Sequence, residues 1–214
     1  MAKVESEDAT TRIINFTDAV VAIAATLLIL EPIAAAAEDK ERTLPDLLST
    51  DSDQLLAFAV SFVVIGHFWL LHRRLFQSVR QITQPMYWFN LLWLFSIVFL
   101  PYPTAVLSDR TEDPLSCALY IGTMTVTSMA ALALKILVAK AEAAAGKPEH
   151  PQQLVASVAA VVALSAATVL ALLVPWAELW GLLLLVPTLL IGRHPSEQTS
   201  RRQENERAEE RLDV

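Results

Sequence analysis

The chain has 214 residues, 54% of them hydrophobic, with a mean hydropathy of +0.45 and a formal net charge of −7. The apolar residues are gathered into runs, which excludes an ordinary soluble domain and points to one integral membrane domain. A single cysteine, Cys117, excludes an internal disulfide and reads as a small apolar helix residue.

The first 11 residues are polar and largely acidic, so no cleavable signal peptide is expected. Ala2 after the initiator methionine rules out N-myristoylation. The first apolar segment covers residues 13 to about 33. Its apolar stretch from Ala19 to Leu30 holds one threonine and would make only about 18 Å of helix. A bilayer core of roughly 30 Å needs about 20 residues. To span, the helix must start near Arg12, which draws Asn15, Thr17 and Asp18 into or against the membrane.

Five more segments follow: residues 55–71, 86–107, about 116–137, 154–174 and about 177–191. Each has the length of a spanning helix, and none alternates with period two as a barrel strand would. The predicted class is an all-α integral membrane protein with six transmembrane helices. Residues 1–192 form the membrane domain and residues 193–214 a polar tail.

Basic residues divide unevenly between the connections. Lys3 and Arg12 precede or open the first helix; Arg73, Arg74 and Arg80 follow the second. Lys135, Lys140 and Lys147 lie at the end of the fourth and after it, and the tail carries five arginines. That places 13 of the 16 Lys and Arg on one side, against Lys40, Arg42 and Arg110 on the other. By the positive-inside rule both termini of this multi-pass protein are cytoplasmic.

Enzyme chemistry finds little support. There is no Gly-rich phosphate loop, no His/Cys set with metal spacing and no Ser-His-Asp candidate on one face, so no catalytic residue, cofactor or resident metal is expected. No nucleic-acid partner is expected either. A Thr-Val-Gly-Tyr-Gly potassium filter is also absent, and five glycines leave little scope for a carbonyl-lined one.

An ionisable residue inside a membrane helix is a functional candidate, because its burial costs at least about 2.5–3.5 kcal/mol. Asp18 is such a residue and needs donors from other helices. Arg12, Trp69, His72 and Asn90 are placed at the same cytoplasmic depth. Trp69 and His72 are three apart and share a face. The favoured reading is a packing hub, the other being direct contact with ions or protons. Ile23, Leu27 and Leu30 form an apolar stripe on the first helix, with Thr26 beside it. Periodicity alone reads that stripe as lipid contact or bundle packing.

Three stretches together resemble one family. "RIINFTDAVVAIAATLLILE" resembles the Arg-x-x-x-Phe-Ser-Asp first helix of the endolysosomal potassium channel family (transmembrane protein 175) and its bacterial relatives. "SFVVIGHFWLLHRRLF", with Trp-x-x-His, resembles its second helix. "NLLWLFSIVFLPYPTAVL", with a leading Asn and a Pro-x-Pro-Thr, resembles its third. The likeness covers roughly residues 12–107, and one departure is Thr17 where the family has serine. The resemblance implies a six-helix repeat that forms homotetramers in bacteria, embedded in the bilayer, with the first helices lining a pore for potassium. It makes Ile23, Leu27 and Leu30 pore-facing layers, with Ile23 at the narrowest point and Thr26 near the filter. It makes the motif of Arg12, Phe16 and Asp18, with Thr17 in the serine's place, a hub for helix packing, joining the structural hub that depth suggests for Asp18, Trp69, His72 and Asn90. The alternative reading is a proton-conducting channel or proton-coupled transporter that uses Asp18 and His72.

Overall fold

The computed structural model describes residues 2–38, 43–77, 79, 81–109, 113–146 and 151–173, and all the elements in them are helices. Among the described residues, four apolar helical stretches are long enough to cross a membrane: Thr10–Ala37, Ser52–Phe76, Gln84–Asp109 and Pro114–Ala144. The first comprises α1 (Ala2–Leu27) and α2 (Leu30–Glu38), and the third comprises α5 (Gln84–Phe99) and α6 (Pro101–Asp109). Between the first two stretches lies the short α3 (Leu44–Thr50), capped by Asp46, which accepts from the Thr43 N–H and hydroxyl. The second is α4 (Ser52–Phe76), the fourth is α7 (Pro114–Ala144), and α8 (Pro151–Leu173) covers the fifth expected segment. The expected sixth segment at about 177–191 and the tail lie outside the described residues.

Proline places both helix breaks. Pro32 has no N–H to give to the Leu28 carbonyl and its ring crowds that oxygen, so the first span breaks at residues 28–29 and resumes with Ile33 N–H bonded to Ile29 O at 3.1 Å. Pro101 and Pro103 likewise leave the Ile97 and Phe99 carbonyls without their usual donors. Leu100 N–H tightens onto Ile97 O at 3.2 Å, and Thr104 N–H restarts the ladder on Leu100 O at 3.1 Å.

The helices run further than the apolar runs do. His72 sits inside α4 rather than in the following connection, and α7 continues through the Ala/Lys/Glu-rich stretch that the sequence reads as a loop. Those are strong helix formers, and α7 stops only where Gly146 takes φ +75°. At 31 residues, α7 is about 46 Å long and outruns the hydrocarbon core.

Helix α7 is the centre of the bundle: half of its most apolar window is buried, against 22% for the first and second spans. It packs on α8 and α5, while α1 lies at the periphery against α5 and α4. The α7 hydroxyls cost little in this apolar setting because Thr123, Thr125 and Thr127 each donate to the carbonyl four residues back, at 2.8–2.9 Å. Thr125 also meets Thr168 of α8 at 3.1 Å, and Lys135 Nζ donates to Ser157 Oγ at 2.8 Å. Among the described residues the peripheral placement of α1 is the feature that matters for function. One of its faces is held by the chain itself and the other is left outward.

Candidate ion-path face and polar hub

The inward face of α1 carries Thr17, Val21, Ala24 and Leu28, all buried. Toward the N-terminal end of the first span this face meets α4 and α5 in a polar cluster. Trp69 Nε1 donates to Asp18 Oδ1 at 2.8 Å. His72 Nε2 and Asn90 Oδ1 are 2.7 Å apart, with the imidazole N–H as donor, and Asn90 Nδ2 donates to Thr17 Oγ1 at 3.1 Å. The cluster thus bridges three spans with one carboxylate, one amide, one hydroxyl and two ring N–H groups. Thr17, His72 and Asn90 are buried, while Asp18 and Trp69 are half-buried. Every bond matches a donor to an acceptor, which is what low-dielectric surroundings demand.

Two expected members stand apart. Arg12 and Phe16 are exposed on the outward side of α1, Phe16 at 59%, so within one chain they do not enter the cluster. The donor that reaches Asp18 is the Trp69 indole. Other members come from outside the expected set. His72 is clamped between Phe76 and Trp93, with ring centroids 4.4 and 4.0 Å away, both stacked. Arg73 places its guanidinium carbon 5.4 Å from the Trp69 ring centroid, a cation–π contact backing the indole that holds Asp18. Helical spacing signals part of this: Phe76 is four residues after His72, Arg73 four after Trp69, and Trp93 three after Asn90. His67, by contrast, lies half-buried on another face of α4, beside Phe68.

The outward face of α1 and α2 is a continuous seam. Arg12, Phe16, Ala19, Ile23, Thr26, Leu30, Ile33 and Ala37 are all exposed and are spaced alternately four and three residues apart. Ile23 is 59% exposed, Leu30 56%, and Leu27, beside the seam, 41%. The repeat passes through the break at residues 28–29 without losing phase. A strict 3.5-residue seam is the pattern by which helices pack on copies of themselves with a left-handed twist. Thr26 Oγ1 donates to Ile23 O at 2.8 Å, so its hydrogen is used and its lone pairs remain on the outward side.

A second buried polar group lies toward the opposite end of the bundle. Thr104 Oγ1 is 2.9 Å from both Ser61 Oγ and Leu100 O, and Ser61 Oγ is 3.1 Å from the Tyr120 hydroxyl. It ties α6 to α4 and α7 beside the Pro101/Pro103 break. A third pair joins α7 to α5, where Thr127 Oγ1 lies 2.9 Å from Ser96 Oγ. Sequence reasoning missed these, since the partners are tens of residues apart and a buried hydroxyl has no local signature.

Comparison with known proteins bears on both features. Residues 12–101 match the family described as the endosomal/lysosomal potassium channel TMEM175. A potassium channel of Streptomyces collinus is 33% identical over 127 residues, which are 58% of this chain and 61% of that protein. The endosomal/lysosomal proton channel TMEM175 of Bos taurus is 36% identical over 110 residues, 48% of this chain and 23% of that protein. The aligned region therefore spans about three fifths of the bacterial relative and about a quarter of the vertebrate one. The crystal structure of a lysosomal potassium-selective channel TMEM175 homolog from Chamaesiphon minutus superposes with a TM-score of 0.71 at 23% identity, covering 87% of this chain and all of that one. The fold is thus shared well beyond the matched segment. Residues 12–101, which hold the hub and the outward seam of the first span, are thus the part of the chain that is similar to the endosomal/lysosomal potassium channel TMEM175 family.

Proposed function

We propose that this protein is a potassium-permeable cation channel of the cell membrane, assembled as a homotetramer around the outward seam of α1 and α2. The observation that carries this reading is the seam itself: a 3.5-residue repeat, apolar apart from Arg12 and Thr26 and exposed on a single chain, on a helix whose other face is fixed by the hub. Four copies of that face around an axis would satisfy the repeat and enclose a path. The names of the relatives, potassium channels among them, support the same activity. The membrane domain then spans residues 1–192 with six helices and both termini cytoplasmic, in keeping with the distribution of basic residues.

In this arrangement Ile23 forms the narrowest ring. Four isoleucines offer no oxygen ligands, so an ion that sheds part of its hydration there receives nothing in return. Weakly hydrated potassium pays less than sodium, and such a ring also gates by dewetting. Leu27 and Leu30 continue the apolar wall, and the Thr26 lone pairs supply oxygen next to the constriction. The hub residues Thr17, Asp18, Trp69, His72 and Asn90 hold the helix in place, and Arg12 and Phe16 stand on the seam at its cytoplasmic end.

The test is flux through liposomes holding the purified protein, with opposed potassium and sodium gradients. Potassium flux is expected, and Ile23→Asn should raise it and erode the preference over sodium. Unchanged currents and permeability ratios in that variant would remove Ile23 from the filter. The rival reading, proton passage using Asp18 and His72, draws on the vertebrate relatives named proton channels. His72 is buried between two aromatic rings and turned away from the seam, which favours the potassium path. Flux driven by a pH gradient with potassium absent would reverse that preference.

A further inference from the structure

The two proline breaks lie at matching distances along the first and third spans, 18 residues after Thr10 and 16 after Gln84. If both spans run outward, the segments beyond the breaks, α2 and α6, are neighbours at the outer end of the bundle. Each lacks the backbone bonds that proline cannot donate across its break, which weakens its tie to the helix below and gives side chains a larger part in its orientation. The structure shows one such link between them. Ser108 Oγ of α6 is in short hydrogen-bond contact with Glu31 Oε1 of α2, and both residues are half-buried. Glu31 follows directly on Leu30 of the seam, with Ile33 two residues further on.

The Ser108 hydroxyl has one proton and two acceptors within reach, the Glu31 carboxylate and Ala105 O at 2.9 Å. The charged acceptor is the stronger one. Helix α6 is in turn fastened to the scaffold, because Thr104 bonds to Ser61 of α4 and Ser61 to Tyr120 of α7. Side-chain bonds therefore tie α6 at Thr104 to Ser61 and through it to the central helix α7, and one turn further along α6, at Ser108, to Glu31, one residue from the seam.

We infer that Glu31 and Ser108 form a positioning pair that holds α2 against α6 and thereby sets the outward placement of Leu30 and Ile33. The role in permeation rests on the channel reading above; the pairing itself does not. Glu31 acts here through its acceptor oxygen and not through its charge on a passing ion.

The experiment uses the full chain in lipid nanodiscs and in liposomes. In nanodiscs, hydrogen exchange is followed by mass spectrometry for residues 30–37, 102–109 and, as an internal reference, 13–27. Ser108→Ala and Glu31→Ala should each speed exchange about three- to tenfold in both outer segments, the loss expected for one interhelical bond, and leave the reference unchanged. Glu31→Gln keeps an acceptor and should stay close to wild type. Exchange that rises in neither outer segment, or only in the mutated one, overturns the pair whether or not the protein conducts. In liposomes, Ser108→Ala and Glu31→Ala should shift the potassium-to-sodium ratio in the same direction, and the double variant should shift it no further than Glu31→Ala. If Glu31→Gln alters flux while Ser108→Ala does not, Glu31 acts by charge and the positioning role falls. Wild-type protein that carries no potassium defeats the channel reading, and the exchange result then decides the pair by itself.

Discussion

Replacing Asn90 with leucine isolates the polar part of the hub. The two side chains are close in volume, so the change opens little cavity and the measured loss reports hydrogen bonding. Asn90 is 4% exposed and serves two partners, accepting from His72 at 2.7 Å and donating to Thr17 at 3.1 Å. Two interhelical bonds at the average measured in a membrane protein set a floor of about 1.2 kcal/mol. Stranding two buried polar groups at about 1–3 kcal/mol each sets a ceiling near 6 kcal/mol. The partners differ in their freedom. The Thr17 hydroxyl can turn to a carbonyl one helical turn back, which brings its share toward the floor. The His72 ring is held between Phe76 and Trp93 and cannot follow, so its share stays high. The expected loss is about 2–3 kcal/mol, or about 30- to 150-fold in the unfolding equilibrium. Reversible unfolding in mixed micelles, followed by helix content at fixed protein concentration, measures it. Thr17→Val should cost about 0.6–1 kcal/mol alone and less in the Asn90→Leu background, where its partner is already gone. A loss below about 0.5 kcal/mol for Asn90→Leu, or strict additivity of the two changes, would refute the network as drawn.

Three further outcomes follow from the same geometry. Trp69→Phe keeps the ring under Arg73 but removes the N–H from Asp18; it should cost about 1.5–3 kcal/mol in the same unfolding assay, and less once Asp18 is also changed to asparagine. Ser61→Ala should cost about 1–2 kcal/mol because it strands the Tyr120 hydroxyl, and Tyr120→Phe in that background should recover part of the loss. At Gly122 an added Cβ would lie 3.7 Å from Thr168 Cγ2, an ordinary contact, so Gly122→Ala should be neutral or stabilising by up to about 1 kcal/mol, whereas Gly122→Leu should separate α7 from α8; melting temperatures of the two variants would show it.

Much of the membrane architecture is legible in the amino-acid order, for a definite reason. A bilayer imposes a length on every span, and a 12-residue apolar run is too short. The missing length before Ala19 therefore forces Thr17 and Asp18 into or against the membrane. Polar residues in or at the edge of apolar runs are rare and costly, so Trp69, His72 and Asn90 at the same depth stand out as a set, and the structure joins them to Thr17 and Asp18.

What only the tertiary structure decided is the choice of partners. Arg12 is the obvious charge match for Asp18, yet it points outward on α1 and the indole of Trp69 makes the bond. Net charge and depth do not distinguish the two; the angular position on each helix does. The links Glu31 to Ser108, Thr104 to Ser61 and Ser96 to Thr127 join residues 77, 43 and 31 apart, and Ser108, Thr104, Ser96 and Thr127 each also reach a carbonyl of their own helix, so nothing local marks the longer link. The stripe on the first helix shows the same division. Spacing alone makes Ile23, Leu27 and Leu30 an apolar face, and three-dimensional packing shows that the face is turned away from the chain's own bundle. A helix satisfies its backbone internally, so its sequence defines its faces; which face the neighbours leave uncovered is set by where those neighbours sit.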